Sequence, residues 1–154
     1  MARINWKVLI ASFIVIAIVA LVGSLFTEIG TWYESVKPSI TPPNYVFPIA
    51  WNILFILIAL SLYFAWTNAG KKQKTRIAIV YGINFVLNIL WTILYFQMKN
   101  PFASFIEIIV LWFSILAMMI ASWKISKTAS LLLLPYLLWV GFASILNYLT
   151  IMNV

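Results

Sequence analysis

The sequence predicts an all-α membrane protein, a bundle of five transmembrane helices, and three observations carry this prediction. Of the 154 residues, 65% are hydrophobic and 8% are charged, far from the composition of a soluble domain. Five apolar runs each approach the roughly 20 residues that cross a bilayer as an α-helix. The basic residues concentrate in alternate connections between these runs, as expected of a multi-pass protein.

The five predicted helices are 8–26, 45–66, 77–96, 102–123 and 131–152. Helix 1 follows Arg3 and Lys7, as the apolar core of a signal peptide would. Its run is longer than the roughly 7–15 residues of a cleavable core, so we expect it to remain as a membrane helix. The other connections are short, apart from the one between helices 1 and 2. The whole chain, 1–154, is therefore predicted to form one domain.

The connection between helices 1 and 2 is long, stiff and aromatic. The stretch WYESVKPSITPPNYVFPIAW, 32–51, contains four prolines, two tryptophans and two tyrosines. Proline fixes φ and removes a backbone donor, and it suits the start of a helix. We expect this loop to fold over one end of the bundle and cap a cavity. The alternative, an interfacial aromatic belt, accounts for the tryptophans but not for the length or the prolines.

Aromatic and polar side chains recur at helical spacing on helices 2 to 5, so each set shares one face. Because amides and carboxyls are costly against lipid, these stripes are expected to face the bundle interior. Such stripes are typical of either a packed core or a ligand cavity, and their mixture of aromatic and polar residues favours a cavity. The stripes are Phe47, Trp51 and Phe55; Asn84, Asn88, Trp91 and Tyr95; Ser104, Glu107, Leu111 and Ser114; and Tyr136, Trp139, Ala143 and Asn147.

Charge predicts the orientation. Eight of the ten basic residues fall at the amino terminus, the 2–3 connection and the 4–5 connection, which share one side of a five-helix protein. The positive-inside rule places that side in the cytoplasm, and the 1–2 loop and the carboxyl terminus outside a cell membrane. The cluster KKQKTR, 71–76, is interpreted as a topology signal rather than a nucleic-acid site, and the lipid bilayer is the expected surrounding.

The residue types exclude several kinds of chemistry. The chain has no cysteine and no histidine, so the usual zinc, copper and haem-iron ligands are missing. There is no His-based general base and no glycine-rich phosphate loop. We therefore predict no metal site and no bound cofactor. The acids are Glu28, Glu34 and Glu107, and only Glu107 is at membrane depth, which disfavours a channel or pump.

Three segments resemble the TspO/MBR family of tryptophan-rich sensory proteins and translocator proteins. TWYESVKPSITPPNYVFPIAWNILF is similar to the family's first loop and second helix, with the pattern W-Y-x-x-x-K-P-x-x-x-P-P followed by F and W. INFVLNILWTILYF is similar to its third helix, and LPYLLWVGFASILNYLTIMN to its fifth. The segments occur in the family's order and cover nearly the whole chain.

The resemblance implies a cavity that binds porphyrins such as protoporphyrin IX, and isoquinoline-carboxamide and benzodiazepine-type compounds. Metal-free porphyrin is the better candidate because axial ligands for iron are absent. The implied ligand-binding residues are Tyr33, Pro42, Trp51, Phe55, Asn88, Trp91, Trp139 and Ala143. Trp32, Phe47, Asn84 and Asn147 lie in the same motifs, and Glu107 falls where the family often has an acid on helix 4.

Three functions stay open at this stage. The favoured one is a tetrapyrrole-binding membrane sensor or transporter. The resemblance also raises an enzyme for light- and oxygen-dependent porphyrin breakdown, in which Trp51 and Trp139 supply redox-active indoles. The third is a structural membrane protein. No basic residue follows Tyr148 in helix 5, so the vertebrate sterol motif is not matched and specific cholesterol binding is not expected.

The resemblance further implies a homodimer. Ala78 and Gly82 form a small-xxx-small pair on helix 3, and small residues let helix backbones approach closely in lipid. The same spacing occurs on helix 2 and on helix 4, and the pair could instead pack within the bundle. The family resemblance favours helix 3 as the dimer interface.

Overall fold

The computed structural model describes residues 4–154, and Arg3, used in the orientation argument, lies outside them. The predicted all-α fold with five long apolar helices is confirmed. In chain order the elements are α1 (Trp6–Phe26), α2 (Thr31–Val36), α3 (Val46–Asn68), α4 (Lys71–Thr92), α5 (Pro101–Trp123), α6 (Lys127–Leu131) and α7 (Leu134–Asn153). Predicted helices 1 to 5 correspond to α1, α3, α4, α5 and α7.

Helix α4 begins at Lys71 rather than at residue 77. Gly70 precedes its first turn, and the Gln73 side chain accepts a hydrogen bond from the Gly70 amide at 2.8 Å. Lysine and arginine stems extend from a helix while their charged ends reach water. The basic cluster therefore lies on the helix and not in a connecting loop.

The loop-side end of α4 widens into a π-helical turn, Ile93–Gln97. The Met98 amide bonds the Ile93 carbonyl at 2.9 Å, which is the i to i+5 pairing of a π-helix. Lys99 then adopts a left-handed conformation, with φ of 48°. Asn100 caps α5 by accepting a hydrogen bond from the Ala103 amide at 3.0 Å.

The last predicted helix is interrupted. Ser126 caps α6, the helix ends at Leu131, and α7 starts at Leu134 with Pro135 in its first turn. Proline lacks the amide that a continuous helix would use, and it clashes with the preceding turn. The single helix expected over 131–152 is therefore wrong at its start.

Helix α5 packs extensively against both α4 and α7, α1 packs along α3, and α6 lies against α5 and α3. The fully buried centre includes Ile58, Tyr81, Ile115, Met118 and Tyr136. The outer faces remain apolar and exposed, for example at Ile18 (55%), Val86 (66%) and Leu138 (65%). Such faces suit contact with lipid acyl chains, so the protein is a multi-pass membrane protein.

Candidate functional site

A cavity of about 340 Å³ lies at the end of the bundle that carries the 1–2 loop. This volume is at the lower end of the roughly 300–1,000 Å³ found for small-molecule sites. Residues of α1, the 1–2 loop including α2, α3, α4 with its π-turn, and α7 line it. Helix α5 contributes none of the described lining residues.

Most of the site predicted from the sequence comes together around this cavity. Seven of the eight residues predicted to bind ligand line it: Tyr33, Trp51, Phe55, Asn88, Trp91, Trp139 and Ala143. Phe47 and Asn147, from the wider predicted set, line it as well. The structure thus places three indole rings, from three different helices, on one enclosed space.

Four residues of the predicted set do not line the cavity. Pro42 lies in the loop between two lining residues, Thr41 and Asn44. Trp32 turns away from the cavity and meets the Tyr95 ring edge-on, with centroids 5.6 Å apart.

Asn84 and Glu107 are also outside the cavity wall. Asn84 is 1% exposed and lies one helical turn below Asn88, deeper in the bundle. Glu107 is 6% exposed, and neither carboxyl oxygen has a hydrogen-bond partner among the described residues. Its helix, α5, packs against α4 and α7, so the predicted fourth stripe faces those helices and not the cavity.

Sequence reasoning missed the contribution of α1. Ala20, Gly23, Ser24 and Thr27 line the cavity from this helix. A Cβ atom at Gly23 would come within 3.9 Å of Thr92 Oγ1 on α4, an ordinary contact distance. The available signal was the cluster of small and hydroxyl residues near the end of an otherwise bulky aliphatic helix.

The aromatic walls are built from contacting rings. Trp51 meets Phe55 at 5.3 Å between centroids, and Trp139 meets Phe47 edge-on at 5.9 Å. Trp91 stacks on Tyr95 at 5.1 Å, as residues four positions apart on a helix can. Offset and edge-on pairs of this kind are the favoured arrangements of aromatic rings.

Many of the polar side chains near the cavity form hydrogen bonds between helices. Asn88 Nδ2 donates to the Tyr136 hydroxyl at 3.0 Å, and that hydroxyl donates to Asn84 Oδ1 at 3.2 Å. Trp91 Nε1 donates to Asn147 Oδ1 at 3.0 Å. These bonds connect α4 to α7, so Asn88 and Asn147 hold the cavity wall together in addition to lining the cavity.

The 1–2 loop is fastened both to itself and to the bundle. Glu34 pairs with Lys37 at 2.6 Å and accepts a hydrogen bond from Asn44 Nδ2 at 2.8 Å; we call these three residues the loop clasp. Asn153 Nδ2 of α7 donates to the Val36 carbonyl at 3.0 Å. These contacts hold the loop where Tyr33, Thr41 and Asn44 contribute to the lining of the cavity.

Two titratable groups of the loop have shifted pKa values. The hydrogen bonds from Lys37 and Asn44 hold the pKa of Glu34 below its ordinary value. Burial, with smaller effects from Tyr95 and Glu34, raises the pKa of Tyr33 to about 12. At neutral pH Glu34 is thus a carboxylate that anchors the loop, and Tyr33 is a neutral phenol.

An apolar cavity with three indoles and few polar groups has the lining that suits a flat, hydrophobic small molecule. Within residues 4–154 no group of three or more acidic, histidine or cysteine side chains could hold a metal ion. The lining offers aromatic surfaces, apolar contacts and a small number of hydrogen-bonding groups.

Comparison with known proteins agrees with this architecture. The family model described as "TspO/MBR family" matches residues 11–152. The tryptophan-rich protein TspO of Archaeoglobus fulgidus is 42% identical over 143 residues, covering 91% of this chain and 92% of the relative. That of Chlorobaculum tepidum is 41% identical, covering 84% and 85%. The human translocator protein is 29% identical, covering 82% and 78%. The chain belongs to the TspO/MBR family.

Proposed function

We propose that this protein is a membrane sensor or transporter whose cavity binds a tetrapyrrole such as protoporphyrin IX. The observation that carries the proposal is the convergence of Trp51, Trp91 and Trp139 on one cavity that the 1–2 loop also lines. Indoles offer a large rigid surface that stacks on a macrocycle or meets it edge-on. Relatives named tryptophan-rich sensory protein and translocator protein support the sensor or transporter role.

The cavity volume bears on how such a ligand would enter. A tetrapyrrole is large for a space of about 340 Å³, so its binding requires the 1–2 loop to move outward. Isoquinoline-carboxamide and benzodiazepine-type compounds are smaller, and we propose that they occupy the same cavity with the loop closed. The basic residues at the opposite end favour an external loop in a cell membrane.

Titration of the purified protein with protoporphyrin IX tests this function. We expect a saturable shift of the porphyrin absorption band together with quenching of tryptophan fluorescence. Trp123→Ala is the matched control, because Trp123 is 48% exposed and is not a lining residue. Absence of saturable binding would contradict the proposal and favour a structural membrane protein.

A second candidate function is light- and oxygen-dependent breakdown of the bound porphyrin. It is favoured by the position of Trp51 and Trp139, since both indoles line the same cavity and indoles can be oxidised. The two functions are separated by illuminating the complex in air. Loss of the porphyrin absorption band that requires both light and protein supports an enzyme, and a stable band supports a binder.

We also propose a homodimer through helix α4. Ala78 is exposed, and a Cβ atom added at Gly82 would meet no atom within 4 Å. The pair therefore faces outward, where a second helix can approach closely. A two-fold interface brings the same patch together twice, so one substitution affects both sides.

Gly82→Leu is expected to shift the detergent-solubilised protein from dimer to monomer, as measured by light scattering, with porphyrin binding retained. Ile83→Leu is the control, since Ile83 is an exposed apolar residue of the same helix that lies about 100° around the helix axis from Gly82. A Gly82→Leu protein that stays dimeric would place the interface elsewhere.

A further inference from the structure

The two ends of the bundle differ in charge. At the end with the 1–2 loop, Lys37 and Lys99 are matched in number by Glu28 and Glu34, and Lys37 forms an ion pair with Glu34. Glu107 is buried near the start of α5, far from the opposite end. That opposite end has no acidic residue, and its described basic residues are Lys7, Lys71, Lys72, Lys74, Arg76, Lys124 and Lys127. The lipid leaflet there faces positive charge that the described chain does not neutralise.

One corner of this basic end places charge beside an exposed aromatic ring. Lys127, the first residue of α6, holds its ammonium group over the Trp123 ring, 5.7 Å from the ring centroid. Trp123 is the last residue of α5, and it is exposed. A lysine is attracted to the face of a tryptophan ring, and indoles prefer the boundary between lipid and water. The charge is therefore held at the level of the lipid headgroups.

The apolar surface beside this ring continues on both helices. Ile120 lies three residues before Trp123 on α5, and Leu131 lies four residues after Lys127 on α6, so each pair shares a helix face. Both aliphatic residues are exposed, and so is Lys124, which follows Trp123 directly. We call these five residues the lysine-indole corner. It offers two ammonium groups next to one indole and two aliphatic side chains.

We propose that the lysine-indole corner binds an anionic phospholipid, with the headgroup phosphate on the two ammonium groups and an acyl chain along the three apolar side chains. Each ammonium group has three N–H donors, and charge-assisted hydrogen bonds to phosphate oxygens are strong. A phosphatidylglycerol headgroup keeps its negative charge, whereas the choline of phosphatidylcholine offsets the phosphate. None of the five residues lines the cavity, so the lipid site does not depend on the proposed function.

Other lysines at this end lack the same combination of charge and exposed apolar surface. Lys71 and Lys72 are exposed at the start of α4, and neither lies over an aromatic ring among the described residues. Lys74 lies over Trp66 at 5.8 Å, but both residues are only partly exposed. All of these lysines attract an anionic leaflet in a general way. The corner adds a surface for the acyl chain, so the preference for an anionic lipid should be strongest there.

Brominated phospholipids test the site, because bromine on an acyl chain quenches the fluorescence of an indole that it contacts. The protein is reconstituted in phosphatidylcholine vesicles that contain a minor fraction of brominated phosphatidylglycerol or, separately, of brominated phosphatidylcholine. The difference in quenching between the parent protein and Trp123→Phe isolates the signal of Trp123. We expect phosphatidylglycerol to associate beside Trp123 about fivefold more strongly than phosphatidylcholine, or better, since one interfacial lysine contributes about that factor.

Two double variants with the same change in charge separate the corner from the general basic surface. Lys124→Gln with Lys127→Gln removes both ammonium groups of the corner and should bring the lipid preference beside Trp123 close to one. Lys71→Gln with Lys72→Gln is the matched control and should leave the preference nearly unchanged. Each double variant is measured with and without Trp123→Phe, and circular dichroism checks that its helices are retained.

Three results would overturn the lipid site. Equal association of the two brominated lipids beside Trp123 in the parent protein would do so without any lysine variant. Equal losses of preference in the two double variants would show that general surface charge attracts the lipid. Displacement of brominated phosphatidylglycerol by inorganic phosphate at constant ionic strength would show that the ammonium groups bind free phosphate and not a lipid.

Discussion

The two ends of the bundle contain similar residue types but differ in packing: side chains fill one end and surround a cavity at the other. At the end with the basic connections, Ser61 Oγ bonds the Tyr81 hydroxyl and the Ala129 carbonyl, each at 2.6 Å. The Tyr81 hydroxyl also meets Ser122 Oγ at 3.2 Å, so α3, α4, α5 and α6 are joined at one point. Every side chain involved is fully buried or nearly so.

At the end with the 1–2 loop, tyrosine, tryptophan and asparagine side chains surround a space instead of filling one. Here two loop atoms lack partners, whereas the polar atoms of the serine-tyrosine cluster bond to one another. The filled end therefore supplies most of the buried packing, whereas the end with the 1–2 loop leaves a cavity unfilled. Substitutions at the two ends should therefore separate stability from binding.

The largest expected effect is on stability, from Tyr81→Ala at the filled end. Losing a buried aromatic side chain costs about 3–5 kcal/mol, and it also removes the shared partner of Ser61 and Ser122. Detergent-induced unfolding followed by circular dichroism measures the change. Tyr81→Phe, which keeps the ring, should cost about 1 kcal/mol. Equal losses in the two variants would show that the hydroxyl and not the ring is decisive.

The next effect is on affinity, from Trp51→Ala and Trp139→Ala at the hollow end. Aromatic contacts contribute about 0.5–1.5 kcal/mol beyond the area that they bury, so we expect protoporphyrin IX to bind about tenfold more weakly or worse in each. The unfolding free energy should change less than in Tyr81→Ala, because these rings border open space. Affinities that match the parent protein in both variants would remove these residues from the site.

Glu107→Leu should change stability in the opposite direction. The carboxyl is buried with no described partner, and replacing such a group with an apolar one of similar size is neutral or stabilising, by up to about 1–3 kcal/mol. Porphyrin affinity should stay constant, since Glu107 is not a lining residue. A protein that folds but loses binding would show that Glu107 acts on the cavity through α4 or α7.

The smallest effect concerns the loop clasp and depends on pH. Because the pKa of Glu34 is lowered in the folded protein, the clasp's contribution is complete above the ordinary carboxyl pKa. It is lost as pH falls through the lowered value. Ligand dissociation should stay constant near neutral pH and accelerate only when the pH falls below the ordinary carboxyl pKa, and stopped-flow fluorescence measures it. Glu34→Gln should flatten this dependence, and an equal acid response in both proteins would exclude the clasp as its source.

The helices and most of the residues that line the cavity could be predicted from the sequence, because periodicity and proline-aromatic patterning are local properties. Trp51 and Phe55 face inward because they lie four residues apart on an apolar helix. Which helices pack against one another could not be predicted from the sequence. Glu107 and Asn84 obey the same spacing rule, yet Glu107 faces neighbouring helices because α5 packs behind α4 and α7. Gly23 was missed because the space beside a small residue can be recognised only when the positions of the neighbouring helices are known.

The π-turn at the end of α4 has a consequence for which residues at this end of the helix form the cavity wall. A π-turn accommodates one residue more than an α-turn, so adjacent residues are separated by a smaller angle around the axis than in an α-helix. Tyr95 and Phe96, which are adjacent in the chain, are both buried and both line the cavity at this widened turn. Deleting a single residue within Ile93–Gln97 would restore the i to i+4 pairing of an α-helix and return adjacent residues to a separation of about 100°. The width of this turn, rather than the identity of either side chain, thus allows two consecutive rings to face the cavity at this end of α4.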